Sequence, residues 1–383
     1  MPSRNSMDFG LSEEQEMLQR SARDFLAREC PSTFVRALYT EPDGFSRELH
    51  RKMAEQGWTG LLVPEAHGGL GLSMLDMALL LEEMGRAVVP GPFIFSSVLV
   101  TLALMHGGSS AQKKTWLPRL ASGEAIGTFA FLEDTDRIDA AGMTLKAKKT
   151  RDGYLVSGTK LFVPFAAVAD VLLTAVRTSG RGEEGISLLL IDRATPGLSI
   201  KSLDIFDQTR RVYEVEFSNV VVTKSALLGT EGEGWKIMAR LLDAAAVALA
   251  ADSLGGAQKS LEMAVDYTKV RTQFNRPIAS FQALKHLAAD MASDIEPARA
   301  LVWYAAHAFD ALPRDASRAA SLAKARLSEV YSRTTNRAVQ MHGGIGFTWE
   351  HDMHFWFKRA KWNEFAFGDV AFHRERIAQL EGF

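Results

Sequence analysis

The apolar residues of this chain change their spacing twice, and this change limits the folds available to it. Residues 12–122 carry apolar side chains at helical spacing. Residues 125–229 instead show period-two alternation, as in 212–217, which is typical of β-strands. From residue 232 onward the helical spacing returns in long stretches. The pattern therefore predicts an α+β fold in the order helices, β-domain, helical bundle.

We place three domains on this pattern. An N-terminal helical domain is expected at residues 1–124, an antiparallel β-sandwich or β-barrel at 125–230, and a C-terminal four-helix bundle at 231–383. Ser12 and Gln15 predict a capping box at the first helix. Pro297 is expected to kink one long helix of the bundle, and Gly255 and Gly256 predict close helix packing in another.

Composition excludes several classes of protein. Of the 383 residues 47% are hydrophobic, which argues against general disorder, and a net charge of -2 gives no sign of nucleic-acid binding. No apolar run reaches the roughly 18 residues that a membrane span requires. The single cysteine, Cys30, and the lack of a secretory pattern near the N-terminus predict a cytoplasmic protein. His351 and His354 lack a third ligand at suitable spacing, so we predict no metal site.

Four segments of the chain resemble signatures of the acyl-CoA dehydrogenase family. They are GWTGLLVPEAHGGLGLSMLDMALLLEEMGRA (57–87), WLPRLASGE (116–124), YTKVRTQFNRPIASFQALKHLAADM (267–291) and VQMHGGIGFTWEHD (339–352). The resemblance implies FAD as cofactor, an acyl-CoA thioester as substrate and an electron-transfer flavoprotein as electron acceptor. In the family reaction a carboxylate removes the α-proton while a hydride passes from the β-carbon to flavin N5.

The resemblance also implies cofactor contacts. In the family an R-x-x-F motif holds the FAD of a neighbouring subunit, and a guanidinium suits its diphosphate. A later Gly-Gly segment lets the backbone approach the ADP part. The matching residues here are Arg271, Phe274, Gln282, Gln340, Gly343 and Gly344, and Phe162 is expected to stack on the flavin ring. Asp243 could face the CoA or flavin cavity, or be an ordinary helix charge.

The chain departs from the family pattern beside the expected flavin. Leu132 and Ile138 replace a Thr and a Ser that bond flavin and substrate in the family. Pro164 stands in the family's W-I-T-N segment, where it offers neither a hydroxyl nor a backbone N–H.

The family's catalytic Glu is also missing. Phe367 occupies its position, and Ala245 occupies the position where a minority of the family carries the base. Asp369 is the candidate base, with Glu364 as a further possibility, but Asp369 could instead cap the helix that follows.

Three alternatives remain open. The chain could be an acyl-CoA dehydrogenase active by itself, as a homodimer or homotetramer. It could be the base-lacking partner in a heteromeric α2β2 enzyme. The residues that contact the FAD of a neighbouring subunit match the family better here than the residues that line the chain's own flavin site. It could also be a flavin monooxygenase or oxidase on the same fold.

Overall fold

The N-terminal region of the computed structural model is helical, as its apolar spacing predicts. The structure describes residues 10–135 and 137–383. The Ser12 hydroxyl accepts the Gln15 N–H at 3.2 Å and the Gln15 side chain accepts the Ser12 N–H at 3.1 Å, which confirms the capping box. A π-helical segment, Ile94–Val100, runs into the fifth helix. The helices are α1 (Glu13–Glu29), α2 (Ser32–Tyr39), α3 (Arg47–Glu55), α4 (Met74–Arg86), α5 (Thr101–Gly107) and α6 (Ser110–Ala121).

The middle region is one sheet in the order β6-β7-β3-β2-β4-β5-β8, with β1 beside β4. Its strands are β1 (Gly127–Ala130), β2 (Lys146–Lys149), β3 (Gly153–Pro164), β4 (Val171–Arg177), β5 (Ile186–Asp192), β6 (Leu198–Leu203), β7 (Val212–Thr223) and β8 (Leu227–Leu228). Most pairings are antiparallel, but β1 and β2 each pair with β4 in parallel. The sheet was expected to be antiparallel, but it is mixed. A parallel β1–β4 pair requires a crossover connection, and the β2–β3 hairpin forms it.

Strands β4 and β5 are buried on both faces. Leu172 and Leu189 belong to a core inside the middle domain. Leu173 and Leu188 point the other way, into a larger core shared with the helices. Successive side chains along each strand therefore pack into different cores. One face of the sheet packs against the helical domains, and the strand ends lie beside the bundle.

The C-terminal region consists of long packed helices. Its elements are α7 (Gly234–Val270), the hairpin strands β9 (Thr272–Gln273) and β10 (Arg276–Pro277), α8 (Gln282–Ala311), α9 (Ala316–His342), α10 (Met353–Phe365) and α11 (Val370–Leu380). Helix α8 runs through Pro297 without ending there.

Glycines allow α7 to approach its neighbours closely, as predicted. A Cβ on Gly255 would lie 1.7 Å from the Glu82 carbonyl oxygen of α4, and a Cβ on Gly256 would lie 2.3 Å from the Tyr331 ring of α9. No side chain fits at either position.

A buried ion cluster joins all three regions. We call it the junction cluster, and its members are Asp207, Arg210, Asp252 and Arg359. Arg359 of α10 contacts the Asp207 carboxylate at 3.0 Å and that of Asp252 at 3.2 Å, and Arg210 contacts Asp252 at 3.0 Å. Arg359 also donates to the Val89 carbonyl oxygen at 3.1 Å. The loop before β7, the segment after α4 and helices α7 and α10 therefore meet at one point.

No helix in the described part of the chain is both long and apolar enough to cross a membrane.

Candidate functional site

A groove lies between the ends of the β1 and β3 strands and the segment that joins α10 to α11. It has two lobes, of about 540 Å³ and about 500 Å³, which share Leu132, Phe162, Phe365 and Phe367. The first, which we call the apolar lobe, is lined mainly by aromatic and aliphatic side chains. The second, the acidic lobe, is also lined by Glu133, Asp134, Asp139 and Asp369.

The three departures beside the expected flavin and Phe367 come together in this groove. Leu132 and Phe367 line both lobes. Pro164 lines the apolar lobe and Ile138 the acidic lobe. The substitutions are far apart in sequence, yet they change a single surface. The chemistry of this surface therefore differs as a whole from that expected of a flavin site.

Phe367 is the residue that the family resemblance assigns to the position of the base. Its ring is only 5% exposed and stacks on that of Phe131 with centroids 5.2 Å apart. Phe131 in turn stacks on Phe129 at 4.9 Å. The ring fills the position with carbon, so no proton acceptor is present there.

Lys324 of α9 fixes the segment that carries Phe367. Its buried Nζ donates to the carbonyl oxygens of Gly368 at 2.8 Å and Glu364 at 3.1 Å, and to the Ser328 hydroxyl at 3.2 Å. Burial lowers the pKa of the Lys324 ammonium to about 7, although the nearby Glu364 and Asp369 carboxylates oppose this shift. The segment is thus held by the buried Lys324 side chain within the bundle.

His373 contacts the same segment. Its Nε2 lies 3.1 Å from the Phe367 carbonyl oxygen, so the N–H is the donor. Burial, with the nearby Lys324 cation, lowers the pKa of His373 to about 3, which keeps the ring neutral.

Asp369 lines the acidic lobe and also caps α11. One of its carboxylate oxygens accepts the Phe372 N–H at 2.8 Å. The N-cap interpretation is therefore confirmed, whereas the role of base stays a prediction. Glu364, the other candidate, forms an ion pair with Lys361 at 2.9 Å. Ala245 is fully buried in the core of α7.

The apolar lobe offers few side-chain partners to an isoalloxazine ring. The charged side chains at the apolar lobe are already paired, Asp207 with Arg359 and Lys361 with Glu364. Pro164 has no N–H, and its carbonyl oxygen accepts from the Thr128 hydroxyl. Each polar atom of a flavin that stayed unpaired and buried here would cost about 1–3 kcal/mol.

Phe162 lies at the mouth of the groove. Its side chain is half exposed, and its backbone takes a positive φ of 52°. Its predicted stacking on a flavin stays a prediction.

A second candidate surface forms around the R-x-x-F motif. Arg271 follows α7 and is exposed, and the β9–β10 hairpin begins directly after it. Phe274 and Asn275 form the two-residue turn with φ of 54° and 60°, as a type I′ turn requires. The turn projects the Phe274 ring into solvent with 85% of its surface exposed.

The Gly-Gly segment lies at the same end of the bundle. The His342 ring packs on Tyr267 of α7 at 4.7 Å, which brings the segment after α9 close to Arg271. A Cβ on Gly343 or Gly344 would meet nothing within 4 Å. Gln282 and Gln340 are also exposed. We call Arg271, Phe274, Gln282, Gln340, Gly343 and Gly344 the end surface.

The end surface offers groups that can contact a diphosphate. It combines an exposed guanidinium with backbone that carries no side chain at two successive residues. None of its six residues lines either lobe of the groove. The residues expected to contact FAD therefore lie apart from this chain's own groove.

Asp243 lies in neither place. Its buried carboxylate accepts from Arg376 of α11 and from the Ser317 hydroxyl, each at 2.6 Å. These contacts tie α7 to α9 and α11, so its predicted contact with substrate gains no support from its position. Within residues 10–135 and 137–383, no three His, Cys, Asp or Glu side chains are arranged to hold a metal ion.

Sequence reasoning missed Lys324 and the junction cluster. Lys324 lies four residues after the buried Ala320 and three before the buried Leu327, so the helical period marks it as a charge on an apolar face. The partners of Arg359 come from distant segments, and no local pattern indicates them.

Comparisons with known proteins identify the family. The N-terminal, middle and C-terminal domains of acyl-CoA dehydrogenases match residues 12–124, 128–220 and 232–380. The acryloyl-CoA reductase (NADH) of Anaerotignum propionicum is 33% identical over 379 residues, covering 97% of this chain and 95% of that protein. The acyl-CoA dehydrogenase IpdE2 of Mycolicibacterium smegmatis is 32% identical, covering 97% and 99%. The ChsE4-ChsE5 complex of Mycobacterium tuberculosis superposes with a TM-score of 0.89 at 27% identity, covering 98% of this chain and 100% of the matched one. The chain belongs to the acyl-CoA dehydrogenase family of flavoprotein oxidoreductases.

Proposed function

We propose that this chain is one subunit of a heteromeric acyl-CoA dehydrogenase and that a homologous partner carries the base and the flavin ring. The burial of Phe367 at the base position carries this proposal, because a phenyl ring cannot accept the α-proton of a thioester. The partner's carboxylate would remove that proton. The substrate is then an acyl-CoA, and an electron-transfer flavoprotein is the expected acceptor.

The end surface supports the contribution of this chain to the shared site. Arg271 would bind the FAD diphosphate with two parallel hydrogen bonds, and Gly343 and Gly344 would let the backbone reach the ADP part. Phe274 would pack against the nucleotide from its exposed turn. When bound, FAD supplies the hydride acceptor, and this chain's residues only hold and orient it.

The comparisons also favour a paired arrangement. One matching solved structure is a complex of ChsE4 with ChsE5, and this chain aligns with the whole of the matched subunit. By resemblance to such pairs, we propose an α2β2 tetramer in which each partner flavin lies against the end surface of this chain.

Flavin content tests the proposal. The chain is purified alone and after co-expression with a homologue that keeps Glu at the base position, and the absorbance near 450 nm gives the FAD content per chain. We expect a colourless chain alone and a yellow complex that a panel of acyl-CoA thioesters bleaches without oxygen. A yellow chain alone, with one FAD per chain and bleached by an acyl-CoA, would overturn the proposal.

A matched pair of variants locates the contact. Arg271→Ala should lower the FAD content of the complex by about tenfold or more, since a charged hydrogen-bonded pair is lost. Arg374→Ala is the control, because Arg374 is an exposed arginine that forms an ion pair with Glu329. Equal FAD content in the two complexes would contradict the role of Arg271.

A second candidate keeps the chain catalytic by itself, with Asp369 as base. The position of Asp369 favours this second candidate. Asp369 lines the acidic lobe immediately after Gly368 and uses one carboxylate oxygen to cap α11. Asp369→Asn separates the two roles, because Asn caps a helix as well as Asp but cannot take the proton. Unchanged bleaching in this variant would remove Asp369 from the reaction. Oxygen consumption by the reduced preparation tests the remaining oxidase or monooxygenase alternative.

A further inference from the structure

The proposed function gives the end surface a role but leaves the groove without one. We propose that the groove binds an uncharged hydrocarbon alcohol that carries no phosphate. This inference goes beyond the proposed function, because it concerns a ligand held by this chain itself and not the cofactor contacts it supplies.

The apolar lobe has the size and the walls of a site for a small hydrophobic molecule. Its volume of about 540 Å³ falls in the range of ligand pockets. Phe131, Trp362 and Phe367 form its inner wall, and Phe162 and Phe365 stand at its rim. The charged side chains beside it are paired within the protein, so the lobe favours a molecule with little hydrogen-bonding demand along its body.

Two residues that line the groove and one behind it have a strained backbone. Phe162, Phe165 and Phe367 have φ of 52°, 51° and 57°, a conformation that bulky residues rarely adopt. Phe162 and Phe367 line the groove, and the buried Phe165 packs behind them on Phe95 at 6.4 Å. Such strain persists where surrounding packing fixes a ligand clamp or another functional shape. The rings are thus held in a preset arrangement.

The acidic lobe selects the polar end of the ligand. The Glu133 carboxylate is paired with Lys160 at 2.7 Å, and Asp139 is paired with Arg137 at 2.5 Å. Asp134 is exposed and adds a further carboxylate to the same lobe. Lys160 and Arg137 neutralise Glu133 and Asp139, and Arg137 also lines the lobe, so Asp134 and Asp369 give the lobe its negative charge. This charge disfavours a diphosphate or a carboxylate, whereas a hydroxyl can donate a hydrogen bond to it. The ligand therefore has an apolar body and a neutral donor at one end.

A dye displacement assay on the purified chain tests this site. Nile red is titrated with the chain, and its fluorescence increase gives the stoichiometry and Kd. Two neutral ten-carbon alcohols compete with the dye, the bicyclic decahydro-2-naphthol and the linear decan-1-ol. Their relative affinities show whether the groove prefers a ring system or an open chain. Decanoate, lumiflavin and FAD serve as contrasts. We expect one dye per chain, displaced by at least one alcohol and not by the contrasts.

Variants assign the binding to the groove. Phe365 is 65% exposed, so Phe365→Ser should leave the fold intact while weakening dye and alcohol binding by about tenfold through the loss of one aromatic wall. Phe347→Ser is the control, since Phe347 is 74% exposed and lies outside both lobes.

Several outcomes would overturn the inference. They are the absence of saturable dye binding, displacement by lumiflavin, FAD or decanoate as strong as by the alcohols, and an equal effect of the two phenylalanine variants. The FAD content of the complex is measured separately, so a failure of dye binding beside a yellow complex is distinguishable from a failure of the proposed function. Displacement by lumiflavin or FAD would contradict both.

Discussion

The rings of Phe131 and Phe367 stack with their centroids 5.2 Å apart, and this contact joins the middle domain to the bundle across the groove. Phe367 keeps this position although its φ of 57° costs about 1–3 kcal/mol in a residue other than glycine. Burying a phenylalanine ring is worth about as much or more. Packing therefore outweighs backbone strain at the position where relatives carry a carboxylate.

Removing the Phe367 ring should destabilise the protein. We expect Phe367→Ala to lower the free energy of unfolding by about 3–5 kcal/mol, because it leaves a cavity against Phe95 and Phe131. Urea denaturation followed by tryptophan fluorescence measures the change. Phe365→Ala, two residues earlier and largely exposed, should shift the value by less than about 0.5 kcal/mol. A similar small shift for Phe367→Ala would show that the stack contributes little.

Lys324 should make stability depend on pH. Burial lowers its pKa from 10.5 to about 7 in the folded chain, so the unfolded chain binds more protons between these two values. The free energy of unfolding should therefore rise with pH from about 7 to about 10.5, with a slope approaching about 1 kcal/mol per pH unit. Below pH 7 both states bind the proton, and the contribution is constant.

The comparison with Lys324→Met isolates this effect. Methionine has similar length but no charge, so the variant should lack the rise while sharing every other titration. The quantity to measure is the difference in free energy of unfolding between the two proteins, from urea curves at several pH values between 6 and 10. A difference that stays flat over this window would mean that Lys324 keeps an ordinary pKa.

The junction cluster predicts a large loss when one member is removed. Arg359→Met leaves the buried carboxylates of Asp207 and Asp252 with less compensating charge, so we expect a loss of about 3–5 kcal/mol in the free energy of unfolding. Arg374→Met removes an exposed pair and should cost less than about 1 kcal/mol. Urea denaturation of both variants gives the comparison. Equal losses would contradict the assignment of Arg359 as a buried link between domains.

Local patterns were enough to predict the order of elements. The change of period located the helical and sheet regions, the Ser12–Gln15 pair located the start of α1, and Gly255 and Gly256 marked where α7 packs closely. Each of these features depends on residues that are near in sequence, where propensity and spacing act directly. The mixed sheet was not foreseen, because strand order depends on distant pairings.

The candidate site could be predicted only in part. Motif resemblance named the residues of the end surface, but it could not show that Phe274 projects from a strained turn. The groove escaped prediction because it arises where separate segments meet. Leu132 and Phe367 line it together although 235 residues separate them, a contact that helical or strand periodicity does not encode.

Gly344 should distinguish a role in assembly from a role in folding. A Cβ there would meet nothing within 4 Å and its φ is not in the left-handed region, so Gly344→Ala should change the free energy of unfolding of the isolated chain by less than about 0.5 kcal/mol. In the complex, the added methyl group would stand where the ADP part of the partner's FAD approaches, and the FAD content should fall. Gly346→Ala gives the opposite pattern, because its Cβ would lie 2.7 Å from the Val339 carbonyl oxygen and should destabilise the isolated chain. Denaturation of the isolated chains and absorbance at 450 nm of the complexes provide the two readouts. Full FAD content in a complex that contains Gly344→Ala would place the nucleotide elsewhere.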